Sequence, residues 1–452
     1  MKRIARVPLV AILLVVALCF ASPASAQNQS PDELISKARN AISPSLMGPH
    51  HLEAEVKVRL SDGTKGKGSY SLDWAAPDRF REEIHLPGYD EIKVGSGTTL
   101  YRKRSADYIP PRVFELEMLM NPTADLDQFQ TDISQLLHEP GFKASSKDQA
   151  AVAQLAVSRI KIGDGEATCI SPTSGVPEAC FDPGHGWPLE VTEDIPETEE
   201  RLTFSNYASL GHGHVPRERR FSENGATTIE ARVKKLSSGQ QFDADTFAPP
   251  AGAEQIPWCS DMVPPVRQTI KTQLSLSADD LPEPEFLYGV VGADGTLRRF
   301  SIIESDGPKA DAAVRSIAES IHFAPATCGG KPVQSESRFV LSDMDFIPST
   351  YSGDVPEASA KGFTHPDCEH CPTPPFTDAA FDHKIRGTVI LSAIIAPDGR
   401  AHDIRILKRL GYGLEESAVR CVRSMWRFKP ATGPDGKPAA VHTLIEVDFN
   451  IY

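Results

Sequence analysis

Near its carboxyl end the chain alternates between two kinds of side chain. Val441, Thr443, Ile445, Val447, Phe449 and Ile451 stand at odd positions, and His442, Leu444, Glu446, Asp448 and Asn450 at even ones. A period of two is that of a strand with one buried and one largely wet face. Upstream, Val389, Leu391, Ala393 and Ile395 share a face, Pro397-Asp398-Gly399 supplies a turn with Gly available for positive φ, and Ile404 and Ile406 lie together on the returning strand. Leu414, Ala418, Cys421, Val422 and Met425 then recur at helical spacing, with Glu415 and Glu416 near the helix start, where the dipole favours acidic residues. Residues 387–452 therefore predict a hairpin, a helix and a final strand.

The same order occurs, worn, at 286–346. Asp294-Gly295 aligns with Asp398-Gly399, Ala313-Val314 with Ala418-Val419, the tract 323–327 with 428–432, and 330–332 with 436–438. Shared order with small changes of offset is the mark of duplication. Val290, Val291, Phe300 and Ile302 supply the earlier hairpin, and Ala310, Val314, Ile317 and Ile321 its helix. At the helix exit Ile321 and His322 stand where the later repeat has Trp426 and Arg427.

The pattern before residue 250 differs. A short helical stretch opens at Pro31 and Asp32; residues 51–60 alternate through Leu52, Ala54, Val56, Val58 and Leu60, and Ser61-Asp62-Gly63 turns the chain into a partner strand at 66–74. Further strands are predicted at 79–86, 91–94, 99–102, 189–191, 200–206 and 227–236, and helices at 116–120 and 127–137. Residues 242–250 and 252–257 read as a closing edge and a linker, and 347–362, rich in Pro, Ser and Gly, as a second linker. The expected organisation is α+β throughout: an antiparallel sheet domain at 31–252, an earlier repeat at 258–346, a linker at 347–362 and a later repeat at 363–452.

Residues 1–26 read as a signal peptide. Lys2, Arg3 and Arg6 precede an apolar run from 7 to 20, and Ala24-Ser25-Ala26 supplies the small residues of a cleavage site, so the mature chain starts at Gln27. The run is shorter than the roughly 20 residues that span a bilayer. Retention of the segment would instead leave an inner-membrane anchor; Leu18 before Cys19 is too bulky for a lipid-attachment site. The net charge of −14 becomes −17 once the three basic residues leave, which argues against nucleic acid as a partner.

Export makes disulfides the default state of cysteine. Cys169 and Cys180 flank a turn-rich loop and are expected to pair; Cys259 lies just ahead of the earlier hairpin and Cys328 just before the Gly329-Gly330 turn, a second reasonable bridge that would pin the repeat's entry segment. Cys368 and Cys371 form a tight CxxC loop, with His365 just before it and His370 within it. Two thiolates and two imidazoles can complete a zinc site, but this spacing is too short for all four to reach one ion easily, and a disulfide loop is the preferred reading. Cys421, on the apolar helix face, reads as buried and free. His212 and His214 can bind metal or mark an exposed turn. No nucleophile elbow, zinc-protease helix motif, phosphate loop or dinucleotide fingerprint occurs, so the sequence argues for no enzyme and calls for no cofactor.

Two resemblances follow from these residues. The stretches GSYSLDWAAPDRFREEIHLPG (68–88) and GSGTTLYRKR (95–104) resemble the LolA/LolB-like lipoprotein carriers, which implies a curved antiparallel sheet whose concave side holds an apolar ligand such as a lipid or lipoprotein chain. An ordinary half-open sheet packed on its own helices stands as the alternative. The order of elements in 387–452, with the tract WRFKPA (426–431) and the ending Glu446-Val447-Asp448-Phe449, resembles the TonB carboxy-terminal domain. In that family a short extended segment of an outer-membrane transporter adds to a sheet edge. Carried over, the resemblance implies a pairing strand at Val441, His442, Thr443, Leu444, Ile445, Glu446, Val447, Asp448 and Phe449. The alternative is that this strand completes its own sheet or pairs with the neighbouring repeat. Trp426 and Phe428 read as core anchors, and Arg427 as a solvated or capping charge.

The departures from that family carry weight. Its inner-membrane helix and long Pro-rich rod have no counterpart, and a folded domain occupies the rod's place. The expected function is therefore non-catalytic binding of envelope proteins by a recognition module detached from the membrane motor. Carriage of an apolar ligand and a scaffolding role are the alternatives; the sequence names neither the partner nor the oligomeric state.

Overall fold

The computed structural model describes residues 30–60, 63–121, 155–163, 165–172, 179–195, 198–268, 285–304, 307–341, 355–377, 380–381, 384–408 and 410–450. The expected signal peptide at 1–26 and helix at 127–137 lie outside these residues.

Helix α1 (Pro31–Ala41) begins where Ser30 and Glu33 exchange side-chain and main-chain hydrogen bonds in a capping box, with Pro31 in the first turn. A short α2 (Pro44–Met47) leads into β1 (His50–Arg59), β2 (Lys65–Ala76), β3 (Arg79–Leu86), β4 (Tyr89–Ser96), β5 (Thr99–Arg104) and α3 (Pro111–Met120). The strands β6 (Leu155–Ile162), β7 (Gly165–Pro172), β8 (Ala179–Phe181), β9 (Pro188–Ile195), β10 (Thr198–Leu210), β11 (Gly213–Glu223), β12 (Ala226–Ser238) and β13 (Glu254–Pro257) complete one antiparallel sheet. Its order is β13-β5-β4-β3-β2-β1-β12-β11-β10-β9-β8-β7-β6. The predicted β1–β2 hairpin pairs Val56 with Gly68, and the buried Leu52, Ala54, Val56 and Val58 sit on its inner face as their period requires. Sequence reasoning took 252–257 for a linker. Glu254–Pro257 is instead the last strand of the sheet, because the free edge of β5 offers it four pairing positions, Thr99 to Arg102.

The inner face of this sheet is occupied. Ile35 and Ala38 of α1, and Leu116 and Leu119 of α3, share one buried cluster with Val56, Ile84, Phe221 and Ile229 of the strands. Arg219 is buried there as well. Its Nη1 donates to the carbonyls of Leu119 (3.1 Å) and Met120 (2.8 Å), giving donors to the otherwise orphaned end of α3. Burial draws its pKa down to about 10, against the pull of Tyr70 and Tyr207. The part-buried Lys93 ammonium is ion-paired with Glu117 of α3 and with Glu82 and Glu91 at 3.5 and 3.6 Å.

The two repeats share a topology. After β14 (Val266–Arg267) come β15 (Glu285–Val291), β16 (Leu297–Glu304), the helix Pro308–Ile317, β17 (Phe323–Ala324), β18 (Ala326–Cys328), β19 (Lys331–Val333) and β20 (Ser335–Leu341). The later repeat places β21 (Asp367–His370), β22 (Gly387–Ile395), β23 (Ala401–Lys408), the helix Leu414–Ser424, β24 (Arg427–Lys429), β25 (Ala431–Thr432), β26 (Pro438–Ala439) and β27 (Val441–Phe449) in the same sequence. Their main sheets are ordered β16-β15-β20 and β23-β22-β27. Gly295 and Gly399 both sit at φ of 77°, and each carbonyl accepts the N–H of the Phe after the helix, Phe323 or Phe428, at 2.8 Å. A Cβ on either glycine would collide with that phenylalanine's own carbonyl oxygen. The aligned pairs are thus one physical contact made twice. Each repeat is also bound from outside by its preceding segment, β14 against β17 and β21 against β24.

Disulfides join Cys169 to Cys180, which face each other across β7 and β8, Cys259 to Cys328, and Cys368 to Cys371. Cys421 is free and buried. Among the described residues no group of three or more His, Cys, Asp or Glu could hold a metal ion, and the two cysteines of 365–371 are joined to each other. His212 lies in an exposed turn, while the His214 ring packs 4.9 Å from that of Trp187.

Candidate partner-binding edge

The sequence places β27 at the end of the chain; the fold places it at the edge of its sheet. One side pairs along its whole length with β22, from Val441 opposite Ile395 to Phe449 opposite Gly387, with no break in register. Val441, Ile445, Val447 and Phe449 are buried, Ile445, Val447 and Phe449 against the helix Leu414–Ser424 and its neighbours. Among the described residues the other side is nearly open.

Main-chain hydrogen bonds identify which residues look outward. His442 donates its N–H to Pro356 at 2.8 Å and accepts from Ala358 at 2.9 Å, in a parallel bridge formed with residues 356–358. The N–H and C=O of His442 therefore point away from β22. Backbone polar groups alternate sides along an antiparallel strand. Leu444, Glu446 and Asp448 must then also face outward, and among the described residues no other main chain pairs with them. The Leu444 carbonyl meets only the Thr443 hydroxyl, at 3.5 Å.

The residues that expose their main chain also share the face away from the helix. His442 bonds the buried Ser392 hydroxyl through Nε2 (2.7 Å) and approaches Glu357 through Nδ1 (3.2 Å). Glu446 and Asp448 are exposed, and Asp448 Oδ1 accepts from the Thr388 hydroxyl at 2.5 Å. The nine residues expected at a pairing strand thus divide in two: Val441, Thr443, Ile445, Val447 and Phe449 spend their main chain on β22, and the even-numbered ones hold the outer edge.

Residues 355–358, assigned by sequence to a linker, are part of this site. Ala358 packs with Ala431 and Val441 in a small buried cluster, so the segment is a strap on the later repeat. It continues through Thr364, which bonds Thr432 in both directions at 2.7 and 3.0 Å, to β21 and then Pro372, whose carbonyl accepts from Trp426 Nε1 at 2.8 Å. Trp426 and Phe428 are buried anchors, and Arg427 donates to the carbonyls of Ser424 and Trp426 at the helix exit. Low periodicity hid the strap; its pairing is with residues far along the chain.

The earlier repeat uses the equivalent surface differently. Glu336 holds the register position of His442, since Val290 faces Glu336 as Ile394 faces His442. Its carboxylate is gripped by Arg102 and Arg104 of β5, and Arg104 also donates to the Tyr288 hydroxyl at 2.9 Å. Arg102 is 5% exposed and reaches Glu254 of β13 at 2.9 Å as well. Arg338 stacks its guanidinium 4.2 Å above the Phe114 ring of α3. Burial opposes ionisation of Glu336, but the hydrogen bonds and charges of the arginines outweigh it and hold its pKa below the ordinary value. The earlier repeat is therefore docked on the amino-terminal domain.

Comparison with known proteins finds matches to two parts of the chain. Residues 372–451 match the family described as Gram-negative bacterial TonB protein C-terminal, which makes this part a TonB C-terminal domain. The strap at 355–371 precedes the matched stretch. The amino-terminal half resembles solved LolA-superfamily structures. A LolA superfamily protein from Nitrosomonas europaea is 7% identical, with a TM-score of 0.28 over 49% of this chain and 98% of its own. A DUF1329 family protein from Desulfovibrio piger is 8% identical, with a TM-score of 0.30 over 48% and 95%. No curated protein matches the chain. No helix among the described residues is long and apolar enough to cross a membrane.

Proposed function

We propose that the chain is a binding protein of the bacterial cell envelope that takes an extended segment of a partner protein onto the outer edge of β27. The observation that carries this reading is the outward main chain of Leu444, Glu446 and Asp448, unpaired among the described residues, within a TonB C-terminal domain. Such an edge can be extended by one more strand, with main-chain hydrogen bonds supplying affinity and alternate side chains supplying selectivity. A TonB-dependent outer-membrane transporter is the partner class that the family match favours. The amino-terminal domain and the docked earlier repeat form the base that presents the edge, and the role is binding, with no chemistry assigned to any residue.

Ligand carriage by the amino-terminal sheet has no comparable support, because α1 and α3 fill its described inner face. The binding reading is tested by placing a photoreactive amino acid at Glu446 in a Gram-negative host, with the same residue at the exposed Asp90 as control. Crosslinking to an outer-membrane protein from position 446 alone is the expected result. Equal labelling from both positions, or none from 446, would overturn the proposal.

A further inference from the structure

The open part of the edge is short and acidic. The strap closes it at one end, since Pro356 and Ala358 already use the outward groups of His442. The strand ends at Phe449, which leaves Leu444, Glu446 and Asp448 as three outward pairing positions. A strand of five residues rises about 17 Å, so the guest must be a correspondingly short extended segment. Glu446 and Asp448 both carry their side chains on the face that a guest's directly opposed residues would share. Glu446 makes no ion pair among the described residues, and one oxygen of Asp448 is held by Thr388.

We infer that this edge selects a short basic segment, with Lys or Arg set opposite Glu446 and Asp448 and an apolar or small residue opposite Leu444. The inference rests on the edge-addition reading and adds to it the length and charge of the guest. Opposite charges facing each other across an antiparallel pair are favourable, and like charges there are unfavourable. An acidic segment is thus rejected at the positions where a basic one is held. The net charge of −14 acts in the same direction at long range, drawing basic segments towards the protein. The strap sets the register: a guest that slid past Leu444 would meet the pairing already made by residues 356–358. In the earlier repeat the equivalent of His442 is the part-buried Glu336, already satisfied by two arginines of the same chain, so an acidic edge position gripped by basic side chains occurs in this protein in finished form.

The test uses the full chain and three acetylated, amidated peptides of alternating pattern, identical except for Lys, Gln or Glu at two alternate positions. Affinities are measured at low salt, and amide hydrogen exchange locates each peptide. The Lys peptide is expected to bind about three- to tenfold more tightly than the Gln peptide and to lose that advantage at high salt, with the Glu peptide weakest. Glu446→Lys, on an exposed side chain, should bring the Lys and Glu peptides to about equal affinity, because Asp448 still favours the first and position 446 now favours the second, while amide exchange elsewhere is unchanged. If all three peptides protect Leu444, Glu446 and Asp448 with equal affinity, the preference for a basic guest is overturned and edge addition stands. If none protects those amides, edge addition itself falls.

Discussion

Replacing Glu336 by Gln should undock the earlier repeat. The substitution keeps the shape of the side chain and removes the charge that Arg102 and Arg104 share. Breaking a buried ion pair by removing one partner costs about 3–5 kcal/mol, chiefly because the other charge is left buried. Here the loss is smaller: Arg102 keeps Glu254, which is half exposed, and Arg104 keeps the Tyr288 hydroxyl and the Asp107 carbonyl at 2.8 Å. An effect of about 2–3 kcal/mol follows. Native-state hydrogen exchange reads it directly, as opening of β15 and β20 that is about 30- to 150-fold more frequent. The strands β22 and β27 serve as internal control and should not change. Adding Arg102→Met should cost less in the Glu336→Gln background than alone, because one of the two carboxylates that Arg102 pairs with is already gone. Exchange of β15 and β20 within twofold of the parent chain would refute the claim that these charges hold the two units together.

Gly399→Ala should destabilise the later repeat by about 1–3 kcal/mol, since it combines positive φ with a collision against the Phe428 carbonyl; a melting temperature equal to the parent's would count against the shared turn-to-helix contact. Burial pushes Glu115 up to about 7 against the charge of Arg112, and raises the carboxyl of Glu117 as well against Lys93. Between the ordinary glutamate range near 4.5 and about 7 the folded chain keeps protons that the unfolded chain has released, so stability falls as pH rises across that window, by at most about 1.4 kcal/mol per pH unit for each group. Glu115→Gln should flatten the slope in a urea-unfolding series, and an unchanged slope would remove that residue from the explanation. The Cys259–Cys328 bridge spans 69 residues, and replacing both cysteines by Ser should cost about 4 kcal/mol on chain-entropy grounds, measured as earlier proteolysis of the first repeat in a denaturant series.

Elements governed by local periodicity were legible in the sequence. The alternation through Leu52 to Val58 and through Val441 to Phe449 fixes both the strand and its buried face, and the spacing of Leu414, Ala418 and Val422 does the same for the helix. The shared topology of the two units was legible because the turn glycines and the phenylalanines that they touch recur in order. What stayed hidden depends on partners distant in sequence. Glu254–Pro257 contains a proline and has only four residues, so nothing in it signals a strand until β5 presents an unpaired edge. Arg219 lies in a strand where an arginine reads as wet, and only the end of α3, about a hundred residues earlier, explains its burial. The contact between Arg102 and Glu336 and the strap at 355–358 are of the same kind. At the edge itself the sequence identified the strand, but it could not say which five of its residues spend their main chain inward and which hold the open side.

That division gives the most direct measurement. Proline at position 446 removes an N–H that points to solvent, which an edge strand tolerates, whereas proline at 445 removes one that β22 requires. Capture of the envelope partner crosslinked at the edge, followed together with thermal melting, should be lost in Glu446→Pro with the melting transition of the later repeat retained, and Ile445→Pro should lose both. Undiminished capture by a folded Glu446→Pro chain would show that no strand adds to β27.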